Sequence, residues 1–162
     1  MFSIPDPLHP AVVHFPIALL LVGALLSLLA VIFRHWALPT ALILVLGAAG
    51  AIVAVETGER AEHDAGKIVG QAHDLLELHE HAAERTRNLA VVTSLIAVMG
   101  LFATKIPLLR RILAGITAVG ALITAYQVVQ TGHYGGQIVY KHAVGVKVSP
   151  SPSAKPPQTK KD

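Results

Sequence analysis

The chain has 162 residues, enough for one domain, and 53% of them are apolar against 14% charged, which is more apolar than a soluble domain of this size carries. With no cysteine it can form no disulfide, thiolate metal site, iron–sulfur cluster or covalently attached c-type haem, so any metal must be held by His, Glu or Asp. The formal charge of +3 comes largely from the terminal KVSPSPSAKPPQTKKD, and no aromatics interleave with it as a nucleic-acid surface would need.

A membrane-spanning helix needs roughly 20 predominantly apolar residues, and the first such run covers about 11–33. It follows ten residues with no basic region and is read as a retained span, not a cleaved leader. His9-Pro10 opens it and His14-Phe15-Pro16 lies in its first turns. Pro16 frees a backbone carbonyl one turn back. His14 sits inside the apolar AVVHFPIALL, where an imidazole needs a ligand or a hydrogen-bond partner. A short turn through Phe33-Arg34-His35-Trp36-Ala37-Leu38-Pro39 leads to the second span, about 37–55, thinned by Gly47, Gly50 and Ala54. Thr57-Gly58 is expected to end it, the glycine as a left-handed C-cap.

The polar segment 56–87 is net acidic. Read as a helix from about 70, it is amphipathic: Ala72, Leu75, Leu76, His79, Ala83 and Thr86 fall on one stripe, and His73, Glu77, His81 and Glu84 on another. The second stripe is explained as a solvated face with i,i+4 pairs more cheaply than as a metal clasp. The third span is 88–104, the turn Lys105-Ile106-Pro107-Leu108 follows with Arg110 and Arg111 behind it, and the fourth span is 108–130, thinned by Gly115, Gly120 and Ala125. Thr131-Gly132 is expected to cap it, and Gly135-Gly136 to turn IVYKHAVGV back over the bundle mouth as a flap carrying His142. Residues 148–162 cannot bury a core and are read as a disordered basic tail.

The fold class is therefore all-α: a four-transmembrane-helix bundle over 1–147, built from two repeated helical hairpins, with an amphipathic helical segment before the third span. The repeat shows as LHPAVVH against LHEHAAE, and as Thr57-Gly58 against Thr131-Gly132; His9 to Thr57 is 48 residues and His79 to Thr131 is 52. A parallel repeat implies a pseudo-two-fold axis along the membrane normal. Four spans place both termini and the acidic segment on one side and the two basic turns on the other, which the positive-inside tendency assigns to the cytoplasm. Eight of the nine histidines then share the outer face, His35 alone lying opposite.

Neutral imidazole suits Zn, Cu or Fe, so such a face is a candidate metal or haem site, although loop histidines are commonly just solvated. His79 is the inward-facing candidate of its helix. His14 is expected to occupy the comparable place at the mouth of the first span, the two rings either flanking one haem iron or hydrogen-bonding to the TG segments.

LHPAVVHFPIALL, the Thr-Gly after the second span, His79-Glu80 and TGHYGGQIVYKHAVGV together resemble a bacterial family of predicted inner-membrane proteins, domain of unknown function 2231, over about residues 5–147. Ala143 departs from the glycine expected in that family's ending. The resemblance implies His9, His14, His79 and His142 as functional positions, Glu80 and Thr131 as residues supporting them, and c-type cytochromes or other redox subunits as partners.

The leading expectation is a multi-pass protein of the bacterial inner membrane that binds haem b through two of His9, His14, His79 and His142 and carries electrons at the outer, periplasmic face, without being an enzyme. One alternative is a divalent transition-metal site (copper, zinc or iron) on the same histidines with Glu80 or Glu77. Another is a structural or assembly subunit of a homo- or hetero-oligomeric membrane complex whose histidines are satisfied by hydrogen bonds. No ionisable residue lies deep in a span to mark a transport path, and no hydrolase or phosphate-loop motif occurs.

Overall fold

A computed structural model of the chain describes residues 8–65, 71–103 and 105–142. The basic tail at 148–162 and Ala143 lie outside them. A short helix α1 (His9–Val12) runs at Val13 into α2 (His14–Ile32), a single 3-10 turn follows (Arg34–Trp36), and then come α3 (Ala37–Ala65), α4 (Gln71–Phe102) and α5 (Pro107–His142). Four helical stretches are long and apolar enough to cross a membrane: His9–Ile32, Arg34–His63, Ala72–Phe102 and Pro107–His142.

The turns form where the sequence forbids helix or favours a fresh start. Phe33 takes an extended conformation, φ −116° and ψ 108°, which breaks the first hairpin. Pro107 opens α5, where its missing N–H costs nothing. The helices pack in a ring, α2 on α3 and α5, and α4 on α3 and α5. The first helices of the two hairpins thus lie diagonally across the bundle axis, as a duplicated hairpin requires.

The side chains are sorted by size in the way a membrane bundle demands. The core is built from Leu20 and Leu44 with many small residues, among them Ala24, Ala48, Ala90 and Ala121, while Leu25, Ile32, Leu95, Met99 and Val119 face outward. Lipid offers large apolar groups no penalty, so association rests on close backbone approach over small residues. Buried hydroxyls are satisfied by backbone carbonyls three or four residues back: Ser27 Oγ donates to Ala24 O at 2.6 Å, Thr40 Oγ1 to Trp36 O at 2.7 Å, and Thr124 Oγ1 to Gly120 O at 2.8 Å.

Three glycines of the expected thin faces are used this way. A Cβ at Gly47 would meet Leu20 Cδ2 at 2.8 Å, one at Gly50 would meet Phe15 Cδ1 at 2.9 Å, and one at Gly120 would meet Thr93 Oγ1 at 2.7 Å. Gly115 differs from the expectation, having nothing within 4 Å of such an atom.

Two further expectations are corrected. Thr57-Gly58 does not end α3, which continues to Ala65, and Thr131-Gly132 does not end α5. Gly135-Gly136 makes no turn and no flap, because α5 runs unbroken to His142. The physical reason lies in the neighbours of Gly58 and Gly135, described below: these glycines are needed for the side chain they lack, not for backbone freedom.

At about 1.5 Å per residue, helices of 29, 32 and 36 residues reach about 44–54 Å, against roughly 30 Å of hydrocarbon. At its Gln71 end α4 carries charged residues as far as Arg87, whereas Leu89–Phe102 carries none. The histidines sit at the Gln71 end.

Candidate functional site

His9 opens α1, and its ring lies against α3. The Nδ1 is 2.9 Å from Ala54 O and 3.3 Å from Thr57 Oγ1. Thr57 Oγ1 itself donates to Ala54 O at 3.0 Å. A Cβ on Gly58 would stand 3.2 Å from His9 Cε1, so the ring rests on bare glycine backbone.

His79, on α4, repeats this against α5. Its Nδ1 is 3.0 Å from Thr131 O, and a Cβ on Gly135 would stand 3.1 Å from His79 Cε1. In both halves the carbonyl that accepts from the imidazole lies one helical turn before the glycine that seats it: Ala54 before Gly58, and Thr131 before Gly135. The motif is a histidine cradle, present twice.

A carbonyl oxygen only accepts, so in each ring Nδ1 carries the proton and donates. In the neutral tautomer Nε2 then holds the lone pair, the arrangement by which protein carbonyls prepare histidines as metal ligands. The two ring centroids are 6.3 Å apart and the planes meet at 86°.

The partner of His79 is therefore His9, where the sequence expectation had His14. Five residues along a helix at 3.6 per turn is about 140° of rotation, and His14 is exposed, on another side of the helix from the ring that meets His79. His142 is the last residue of α5 and half-buried. Thr131 takes part through its carbonyl. Its hydroxyl donates to Gln127 O at 2.9 Å and lies 3.1 Å from Thr86 Oγ1.

Glu80 turns towards α3. Its carboxyl hydrogen-bonds to that of Glu62, with Glu59 and Glu84 adding negative charge nearby. Two carboxyls in contact cannot both ionise. The Glu62 bond first, then burial and the surrounding carboxylates, push the Glu80 carboxyl up to about 7.

The remaining histidines stay outside the pair. His73 faces Glu77 at 3.4 Å and His81 faces Glu84 at 3.8 Å, all on the exposed stripe read from the sequence as a solvated face. The Nε2–H of Gln137 donates to His133 Nε2 at 2.7 Å on the surface. His35, at the opposite end, lies against Phe33 and Trp36. Among the described residues no three His, Cys, Asp or Glu side chains converge as a set that could hold a metal ion. Sequence reading missed the cradle glycines as seats and Ala54 as an acceptor. The available signal was the position of Gly58 and Gly135 at the same end of the bundle as a histidine of the preceding helix.

With this geometry in place, comparison with known proteins gives one match. A family model described as a predicted membrane protein, domain of unknown function 2231, matches residues 5–148. The chain belongs to that family, and with four membrane-length apolar helices it is a multi-pass membrane protein. No curated protein and no solved structure matches it.

Proposed function

We propose that this chain is an electron-transfer subunit of the bacterial inner membrane, a carrier and not an enzyme, that holds haem b between His9 and His79 at the outer end of its bundle. The observation that carries the reading is the doubled cradle: two imidazoles from the two halves of a repeat, each with Nδ1–H committed to a helix carbonyl, their ring centroids 6.3 Å apart.

The donor set fits haem better than a small ion. A protein site for zinc or copper needs three or four side-chain ligands, whereas haem iron takes two from the protein, its porphyrin supplying the rest. Bound haem would supply one-electron chemistry. The chain's own residues do the remainder: Ala54 O and Thr131 O fix the ring orientations, Gly58 and Gly135 let the rings lie close to the helices, and the projecting ends of α3, α4 and α5 surround them with protein. At this end of the molecule a c-type cytochrome or another redox subunit can approach from water.

Absorption spectroscopy of protein purified from haem-supplied cells tests the assignment. A Soret band that shifts on dithionite reduction, present in wild type and in His14→Ala but absent in His9→Ala and His79→Ala, is the expected result. Wild-type protein with no such band removes the haem reading. Stoichiometric copper, zinc or iron without porphyrin absorbance would favour a small-ion site. Absence of both would leave the cradles as hydrogen-bonded joints of a structural subunit.

A further inference from the structure

At the end of the bundle opposite the histidines, a cavity of about 260 Å³ opens between the helices. Its walls include Ser27, Thr40 and Thr117 from the core, and its rim carries Arg34, Arg110 and Arg111. Arg34 belongs to the turn of the first hairpin, and Arg110 and Arg111 to the first turns of α5, so both hairpins contribute charge to one opening.

Among the described residues no carboxylate neutralises it. The lining contains no carboxylate, and among the described residues none of the three guanidiniums has an acidic partner. Two helices also begin here, α3 at Ala37 and α5 at Pro107, and the first turn of α5 holds no acidic residue. A helix start carries positive partial charge, which adds to that of the arginines. Three unpaired cations beside two helix starts leave an anion as the missing counterpart.

The setting favours an anion that carries an acyl chain. Ala30, Val31 and Ile32 of α2 form an apolar wall, and Ile32, Phe33 and Phe102 are well exposed beside the opening, where lipid tails would lie. Half-buried Trp36 marks the water–hydrocarbon boundary, the level at which headgroups sit. The volume is below that of a pocket for a drug-sized molecule and suits a headgroup phosphate.

We propose that this cavity binds the phosphate of one anionic phospholipid headgroup, held by Arg34, Arg110 and Arg111. Arginine's forked donors suit phosphate oxygens, and basic pockets between membrane helices are suited to anionic headgroups. The site is independent of the histidine pair and stands whether or not haem is bound.

Native mass spectrometry of the full chain, reconstituted in bilayers of phosphatidylcholine with a minor share of phosphatidylglycerol, tests it. Expected is one phosphatidylglycerol retained per chain, saturating with lipid, and retention weakened about tenfold or more in Arg34→Gln/Arg110→Gln/Arg111→Gln. Equal retention of the two lipids by wild type overturns the proposal without any variant. Graded, non-saturating uptake does so too, showing that the arginines act only as topology signals. Should the triple variant fail to fold, Arg110→Lys, which keeps the charge but not the fork, should still retain less phosphatidylglycerol than wild type, and equal retention would overturn the proposal. A parallel titration with inorganic phosphate in neutral detergent should show no saturation. Saturation there, abolished by the same substitutions, would replace the lipid with a free phosphate.

Discussion

His9 and His79 stand 70 positions apart in the chain, yet their rings meet edge to face with centroids 6.3 Å apart, His9 tied through Nδ1 to a carbonyl of α3 and His79 to one of α5. The pair joins the two hairpins at the bundle axis. Each ring has its Nδ1 donor satisfied, so Nε2 is the atom through which the pair can act on anything else.

The glycines of the cradle give the first prediction. At Gly135 a methyl group would stand 3.1 Å from His79 Cε1, and at Gly58 3.2 Å from His9 Cε1, so Gly135→Ala and Gly58→Ala must push the rings aside by a few tenths of an ångström. Gly132, one turn earlier on α5, has nothing within 4 Å. With haem held as proposed, its content measured by absorbance should fall in Gly135→Ala and Gly58→Ala and stay at wild-type level in Gly132→Ala. Unchanged content in all three would mean that ring position does not matter to the site.

Packing over glycine gives a second. Gly120 accepts Thr93 where a Cβ would approach its hydroxyl at 2.7 Å, and Thr93 is a buried, β-branched side chain with little room to yield. Gly120→Ala should therefore lower the melting temperature in detergent, overpacking costing about 1–3 kcal/mol. Gly115→Ala, in open space, should leave it unchanged or raise it, since alanine gains up to about 1 kcal/mol of helix propensity over glycine. Equal effects of the two substitutions would contradict the contact.

The four helices were legible because their signals are local: long apolar runs, short turns carrying basic residues, and Pro107 at a helix start. The outward stripe His73, Glu77, His81 and Glu84 was legible for the same reason, helical spacing alone separating it from His79. The partner of His79 was not. Aligning the halves on Thr57-Gly58 and Thr131-Gly132 puts the repeat three residues out of step with the structure, which equates Gly58 with Gly135. A glycine that seats a ring has the same letter as one that turns a chain, and the acceptors are backbone carbonyls, to which sequence gives no mark. Only packing across the axis separates His9 from His14.

The carboxyl pair on α3 and α4 gives a pH dependence. Glu80 is held at about 7, above its ordinary value of 4.5, by the bond to Glu62, by burial and by neighbouring carboxylates. The folded chain therefore binds more protons than the unfolded one between those values, and stability must fall as pH rises through about 7. Glu80→Gln keeps a hydrogen-bond donor for Glu62 and removes the titration. Melting curves from pH 5 to 8 should slope downward for wild type and flatten for the variant, which becomes the more stable of the two at the alkaline end. A wild-type curve that rises over this interval would show that Glu62 and Glu80 do not share a proton.

Thr131 separates the role of a backbone from that of a side chain. His79 is anchored by the Thr131 carbonyl at 3.0 Å, while the Thr131 hydroxyl bonds to Gln127 O and Thr86 Oγ1. Thr131→Val keeps the shape and the carbonyl and removes the hydroxyl. Thr86 still donates to Ala82 O at 2.8 Å, so no hydroxyl is left unsatisfied. The variant should lose about 0.5–1.5 kcal/mol of stability, the net worth of an ordinary hydrogen bond, and, with haem held as proposed, bind as much of it as wild type does. Loss of haem in Thr131→Val, with helicity intact, would show that the hydroxyl positions His79.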